Sequence, residues 1–422
     1  MWGGLWTAPL LLMDKPVEIV LTAHSYGGDA IGRYDGRAVF VPFALPGETV
    51  RVSIVDDRKN FARAELVEVV KASPERIEPR CQYFGVCGGC HYQHLPYTAQ
   101  LKLKMDILSD QLTRIGKIQN PPVLLIVASP DEWNYRNHVQ FHLDQSGVLG
   151  FIAAANPEEL IPIKECFLPE SGINKLWPTL EFEADSPVER VSLRAGINDE
   201  LLLVLESDEI TPPEMEIEAG ISVVHLTSLG NGSVVLAGDG YLVISILDRL
   251  FKVSAASFFQ VNTRMAARMV VHLLDTLQVT ASSILLDVYC GAGLFSAFFA
   301  SKVSRVIAIE SAPSACEDFA VNLDEFDNVE LYEGLAQDIL PALKIKADLA
   351  IVDPPRAGLD KAVLDAIIRL GPKTLAYVSC DPSTLARDAA RLVTGGYHLR
   401  QITPFDLFPQ TYHIESISIF EM

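Results

Sequence analysis

The sequence predicts an α/β protein: a C-terminal doubly wound, Rossmann-like sheet, preceded by a small β-barrel and a middle α+β region. Three observations carry that reading. From about residue 255 onward, strand-like and helix-like stretches alternate, the pattern of a mostly parallel sheet. The first of those strands, ILLDVY, runs into a glycine-rich loop, Asp287-Val288-Tyr289-Cys290-Gly291-Ala292-Gly293. Between residues 16 and 72, short alternating apolar stretches (VEIVLTA, AVFVPFA, TVRVSIVDD, ARAELVEVV) are separated by Gly-rich or polar turns, the signature of a small barrel of the oligonucleotide-binding kind. A plain structural β module is the alternative for that unit.

In chain order, residues 1–15 (MWGGLWTAPLLLMDK) read as an upstream extension or misassigned start, with Met13 as the alternative start. They lack a basic leader and a small-residue cleavage site, against a signal peptide. Residues 16–72 are the barrel. Residues 73–250 form the middle region, with cysteines near its beginning, a helical pattern over 96–117 that can pack on the C-terminal domain, and antiparallel strand patterns such as NHVQFHLD and ELLLVLES. Residues 251–422 are the doubly wound domain. A chain of 422 residues supports two or three such domains at ~100–200 residues each. No apolar run approaches the ~18–20 residues of a membrane span. A cytoplasmic location and a monomeric state are the expectations.

Composition constrains partners. With 54 acidic and 34 basic residues the net charge is −20, which disfavours a general nucleic-acid binder because phosphates call for Lys and Arg. Any nucleic-acid partner must therefore meet a local basic cluster. There are seven cysteines, too few and too odd in number for a secreted disulfide framework.

The chemistry gathers at strand ends. Gly291 and Gly293 allow a sharp turn and close backbone approach to a ligand. The G-x-G-x-x-G spacing fails, because Ser296 stands where the third Gly would be. The second strand ends in Glu310, placed to accept hydrogen bonds from ribose hydroxyls. No Walker loop is present, which points to an adenosine cofactor without phosphates. The combination resembles class I S-adenosylmethionine-dependent methyltransferases. A later strand ends in Asp353-Pro354-Pro355-Arg356, a rigid turn that can hold a carboxylate and a guanidinium at the cleft rim. Amino-group methyltransferases place an aromatic after the prolines, and Arg356 departs from that. The next strand ends in Cys380, just before a helix beginning near Thr384; a helix N-terminus favours thiolate. A lone cysteine is more often a buried apolar residue. Glu415, at the start of the last strand pattern, is either a base at a cleft edge or an exposed strand glutamate.

Together SFFQVN (257–262), DVYCGAG, DPPRAGL, YVSCDPSTLARD and the final His413-Ile414-Glu415 resemble the RNA 5-methyluridine (uracil-C5) methyltransferase family. The resemblance implies Cys380 as nucleophile and Glu415 as base. It implies S-adenosylmethionine as cofactor, contacted by Gln260, Tyr289, Glu310 and Asp353 and by the Gly291 loop, and it implies an RNA substrate. Arg356 would position RNA or the activated ring, and Arg136, within WNYRN, would contact uracil or phosphate; a surface salt bridge is its plainer role. The barrel resembles the TRAM domain, implying RNA binding, with Lys59, Asn60, Phe61 and Arg63 as a basic-aromatic surface unless Phe61 is core.

Cys81, Cys87 and Cys90 crowd together, with Cys166 as a fourth thiol; four thiolates could hold zinc or an iron–sulfur cluster. The spacing resembles the 4Fe–4S site of TRAM-bearing members of the family, and that branch tilts the substrate toward ribosomal RNA, with transfer RNA as the alternative. Two rival readings remain: a nitrogen methyltransferase, and an RNA-binding or chaperone protein with a vestigial methyltransferase fold.

Overall fold

The computed structural model describes residues 16–213, 215–216, 220–227 and 232–422. The expected extension 1–15, with Met13, lies outside the described residues.

Five strands, Val17–His24, Ala30–Tyr34, Arg37–Val41, Thr49–Asp57 and Phe61–Lys71, close into a barrel in the order first, second, third, fifth, fourth. Alternate residues turn inward, as a two-residue strand period requires. Ile19, Leu21, Val39, Val41, Val50, Val52, Ala62 and Ala64 fill the interior. Glu48 is fully buried at the barrel's end and survives there because it is paired. Arg76 donates to it at 2.6 and 2.8 Å, and the Leu45 and Ser73 amides donate at 2.9 and 3.1 Å.

The middle sheet has seven strands, in the order Ser233–Ala237, Ser222–Thr227, Leu201–Ser207, Val188–Ala195, His138–Leu143, Leu149–Ile152, Leu160–Pro162. Sequence pattern suggests an antiparallel sheet, and one pair departs from it: Leu201–Ser207 runs parallel to Ser222–Thr227. A parallel pair needs a crossover of about a dozen residues, and the connection 208–221 supplies that length.

The expected helix over 96–117 spans Tyr97–Arg114 and packs against the helix Pro382–Thr394 of the C-terminal domain. Its Ile107, Leu108 and Leu112 share a core with Leu286, Val288 and Tyr377. Lys104 and Asp406, both fully buried, pair at 2.6 Å, and the Lys104 ammonium also donates to the Phe408 carbonyl at 3.0 Å. Gln100 donates to the Gln410 side chain at 2.9 Å and accepts from the Gln410 amide at 3.1 Å. The helix thus holds segment 406–410, which leads into the last strand.

The C-terminal sheet runs Val329–Glu333, Arg305–Glu310, Ile284–Val288, Leu349–Val352, Thr374–Ser379, Glu415–Glu421, His398–Phe405. Only Glu415–Glu421 is antiparallel to its neighbours. That strand sits inside the sheet and buries six consecutive residues. Both faces are covered, as expected where helices flank a sheet.

Candidate active site

The sheet's register assembles the cleft. Val288 pairs with Val352, and Val352 with Tyr377, so the parallel strands end level with one another. Tyr289 and Asp353 follow those ends. Ser379 pairs with Ser416 across the antiparallel strand. Cys380, one residue beyond the first, therefore faces Glu415, one residue before the second. Glu415 is 4% exposed, so it is not the exposed strand glutamate.

The cleft is rich in carboxyl groups that burial shifts toward the protonated form. Asp287 is pushed up to about 6 by burial, against the pull of Ser296, with Glu310 adding to the rise. Asp353 is pushed up to about 7 by burial and by Asp287. Glu415 rises well above the carboxylate range through burial and Asp353, with Arg356 opposing. Cys380 is pushed up to about 12 by burial, then by Glu415 and Asp353, while Arg356 opposes. The expectation that a helix N-terminus makes Cys380 a resting thiolate is thus corrected. Asp381 takes the helix's free amides, accepting from Ser383 and Thr384 at 2.9 Å each, and its own charge opposes ionisation of the thiol.

The same helix secures the Asp353-Pro354-Pro355-Arg356 turn. The Thr384 hydroxyl donates to the Arg356 carbonyl at 3.1 Å, and Arg387 donates to the Ala357 carbonyl at 2.9 Å. Buried Asp388 accepts from the Leu359 amide at 2.8 Å and the Tyr377 hydroxyl at 2.9 Å. The Arg356 side chain is left free at the rim: it makes no salt bridge among the described residues.

On the other side, Glu310 organises the glycine loop. It accepts from the Gly291 amide at 2.9 Å and from the Ser311 and Ala312 amides at 2.7 and 2.8 Å. A carboxylate has about four lone-pair sites, so one stays available to a ribose hydroxyl. Tyr289 adopts φ 64°, a left-handed conformation unusual for a ring-bearing residue, and Gly291 follows at φ 54° with open space where a Cβ would be. Ser296 donates to Asp287 at 2.6 Å, which explains a serine where a dinucleotide loop has glycine. The Gln260 carbonyl accepts from the Asn137 side chain at 3.1 Å, and the residue is 9% exposed. Asn262 caps the helix Thr263–Thr276 and donates to the Leu407 carbonyl at 3.1 Å, tying the Gln260 segment to the approach to Glu415.

Arg136 makes no salt bridge among the described residues, and its Nε is buried without a partner. Together with Arg356 it lies close enough to help depress the His413 imidazole to about 3, although burial is the main cause. The fold therefore brings together Cys380, Glu415, Asp353 and Arg356, with Arg136 near the adjacent His413, and it brings together Tyr289, Gly291 and Glu310; Gln260 is placed by its bond to Asn137. Sequence reasoning misses the parts played by Asp287, Tyr26 and the Lys104–Asp406 pair. Of these, Lys104 alone leaves a signal, as a cation on the apolar face of a helix.

The four cysteines Cys81, Cys87, Cys90 and Cys166 line one cavity of about 800 Å³, shared with Tyr26, Arg63 and Arg136. All four are free thiols. Burial raises Cys90 to about 12 and Cys166 to about 11, each raised further by the other cysteines. The donors suit a thiophilic centre, yet among the described residues no three His, Cys, Asp or Glu side chains are arranged to hold a metal ion. On the barrel, Lys59, Asn60, Phe61 and Arg63 are all exposed, so Phe61 is not core; its ring edge meets Phe40 at 5.9 Å.

A doubly wound sheet with a glycine loop, an acid closing its second strand and a cleft at the carboxyl ends defines an S-adenosylmethionine-dependent methyltransferase. Residues 239–421 match the tRNA (uracil-5-)-methyltransferase family and residues 15–67 the TRAM domain. An RNA methyltransferase of Halalkalibacterium halodurans is 32% identical over 96% of this chain and 97% of its own. One from Caldanaerobacter subterraneus is 34% identical over 97% of this chain and 98% of its own. The chain belongs to the RNA uracil-C5 methyltransferase family, in its TRAM-bearing form, and is an RNA methyltransferase. The Pyrococcus abyssi tRNA (uracil-54, C5)-methyltransferase, solved with S-adenosyl-L-homocysteine, shares the fold with a TM-score of 0.73 and 24% identity, over 95% of this chain and 99% of that one. No described helix is long and apolar enough to cross a membrane.

Proposed function

We propose that this enzyme methylates C5 of a uridine in RNA, with Cys380 as nucleophile and Glu415 as general base. The observation that carries the reading is the register that sets Cys380 opposite a buried Glu415, with Asp353 and Arg356 beside both. Uracil C5 is too weak a nucleophile to take a methyl group directly. Cys380, as thiolate, adds to C6 and makes C5 an enolate carbon. S-adenosylmethionine, when bound, supplies the methyl group and the positive charge of its sulfonium. Glu415, as carboxylate, then removes the C5 proton, and elimination breaks the S–C6 bond and frees the thiolate. Burial raises both groups, so loading must favour their charged forms, and Arg356 is the neighbouring cation that does so for each. Gln260, Tyr289, Gly291, Glu310 and Asp353 line the cofactor side; Arg136 and Arg356 meet the uracil or its phosphate.

Ribosomal RNA is the substrate we favour, on the resemblance to the cysteine-bearing branch. A transfer RNA uridine is the second reading, favoured by the tRNA specificity in the name of the Pyrococcus abyssi neighbour. Cys81, Cys87, Cys90 and Cys166 would hold a 4Fe–4S cluster, which would clamp the loops around the 800 Å³ cavity. The enzyme works as a monomer in the cytoplasm.

The test incubates the protein and S-adenosylmethionine with total RNA containing 5-fluorouridine. Fluorine at C5 cannot leave as a proton, so a stable protein–RNA adduct through Cys380 is expected, and mapping its nucleotide names the substrate. Methyl transfer that proceeds without any adduct, and survives in Cys380→Ala, would return the reading to nitrogen methylation.

A further inference from the structure

The turn joining the first two barrel strands reaches the active site. Ser25 and Asp29 close it, with the Ser25 amide and hydroxyl donating to the Asp29 carbonyl at 2.8 and 3.0 Å. Gly27 and Gly28 take φ 111° and 100°, which lets the tip fold tightly; a Cβ on Gly28 would sit 3.1 Å from the His91 ring. At the tip, the Tyr26 hydroxyl donates to Asp381 at 3.0 Å. The Tyr26 ring meets Tyr412 edge to face at 5.7 Å, and Tyr412 in turn lies 4.3 Å from His413. One side chain of the barrel thus touches the residue after Cys380 and a residue three before Glu415.

We propose that Tyr26 is a positioning residue for the nucleophile: by holding Asp381 at the start of the helix Pro382–Thr394, it makes the position and acidity of the Cys380 thiol depend on the docked barrel. This rests on Cys380 being the nucleophile. The two oxygens of Asp381 serve different partners. Oδ1 accepts the Ser383 and Thr384 amides, and Oδ2 accepts Tyr26. Burial and Asp381 push the Tyr26 hydroxyl far above its ordinary range, so it stays a donor throughout the working pH range. A donor on Asp381 draws in carboxylate charge that would otherwise oppose the thiolate next to it. Among the described residues, no other side chain from the barrel donates to the segment 379–384. The barrel thereby does more than offer a surface to RNA, because it completes the nucleophile's surroundings.

The test uses the full chain with Tyr26→Phe, which keeps the ring on Tyr412 and removes only the hydroxyl. The first readout is Cys380 alkylation by iodoacetamide against pH, followed on its peptide without RNA. The second is the rate and RNA dependence of adduct formation with RNA containing 5-fluorouridine. Expected are an upward shift of the alkylation midpoint and adduct formation five- to tenfold slower at saturating RNA, for the loss of one hydrogen bond to a charged group (~1–1.4 kcal/mol). Half-saturating RNA should stay within about twofold, as should thermal unfolding within ~2 °C. In Asp381→Ser, where the shorter side chain still caps the helix but cannot reach Tyr26, adding Tyr26→Phe should change nothing further. Weaker RNA binding with an unaltered alkylation profile would make Tyr26 an RNA contact and overturn the proposal, as would wild-type behaviour in both readouts. A wild-type protein that never forms an adduct would remove the nucleophile assignment instead, while the alkylation profile would still test the link to Asp381.

Discussion

Two regions of this molecule hold half-buried thiols, and they differ in what surrounds them. Cys380 sits at the end of an interior strand, its place set by sheet register, among Glu415, Asp353 and one guanidinium. Cys81, Cys87, Cys90 and Cys166 sit on loops around a cavity, and other thiols add to the rise of Cys87, Cys90 and Cys166. Burial makes these three and Cys380 harder to ionise. A thiol facing a carboxyl has a proton acceptor within reach and suits a covalent cycle. A thiol facing thiols has only soft donors beside it and suits a metal centre. Residue type is shared; the surroundings decide.

That contrast can be broken by substitution, and the largest effect should come from the cleft. Cys380→Ala should lower methyl transfer by about 10⁴-fold or more while S-adenosylmethionine binding, measured by calorimetry, stays within about twofold. Glu415→Gln should cost about 10²–10⁴-fold in turnover and let the protein–RNA adduct accumulate on ordinary RNA, visible as a slowed band on a denaturing gel. Were the adduct absent and turnover normal, the cleft would lose its base.

In the cavity, Cys87→Ser should abolish iron incorporation, read by metal analysis and visible absorbance after anaerobic reconstitution. It should lower RNA affinity or thermal stability while leaving the alkylation rate of Cys380 within about twofold. A loss of chemistry equal to that of Cys380→Ala would erase the distinction between the regions.

Smaller effects should follow pH. Asp353 at about 7 is mostly neutral at pH 6, and a sulfonium prefers it ionised. S-adenosylmethionine should therefore bind about tenfold more weakly at pH 6 than at pH 8, with S-adenosylhomocysteine, lacking the charge, nearly flat across that range. A raised carboxyl binds its proton more tightly folded than unfolded, so its stability contribution is present at low pH and lost as pH rises through about 7. Asp353→Asn should flatten both profiles. On the exposed barrel surface, Phe61→Ala should lose about 1–3 kcal/mol of RNA binding if one base stacks there, with turnover at saturating RNA unchanged.

The glycine loop is legible in the sequence because its demands are local. Gly291 and Glu310 lie in one loop and at the end of the next strand, where turn and strand patterns mark them, whereas Tyr289 is singled out only by the family resemblance. Cys380 is marked by following a parallel strand. Periodicity does not decide Glu415: its strand is buried on both faces, and a continuous apolar run says nothing of which neighbour the first residue meets. The expected helix-dipole activation of Cys380 fails because Asp381, the next residue, takes the free amides for itself. Tyr26 and Asp406 are invisible for a different reason. Their partners lie hundreds of residues away and are defined only by how separate units dock.

The Lys104–Asp406 pair bears on how the chain is made and cut. Its partners are 302 residues apart in sequence, and Gln100 and Gln410 are 310 apart. Contacts of such long range close late in folding, so the loop that delivers Glu415 should be among the last parts to become protected from hydrogen exchange. It also sets a limit on modular engineering. A catalytic piece excised at residue 251 would lose the helix that both covers Asp406 and supplies its cation, and would expose the apolar surface that Ile107, Leu108 and Leu112 cover. Grafted onto another RNA-binding module, the piece would have to bring the helix Tyr97–Arg114 with it.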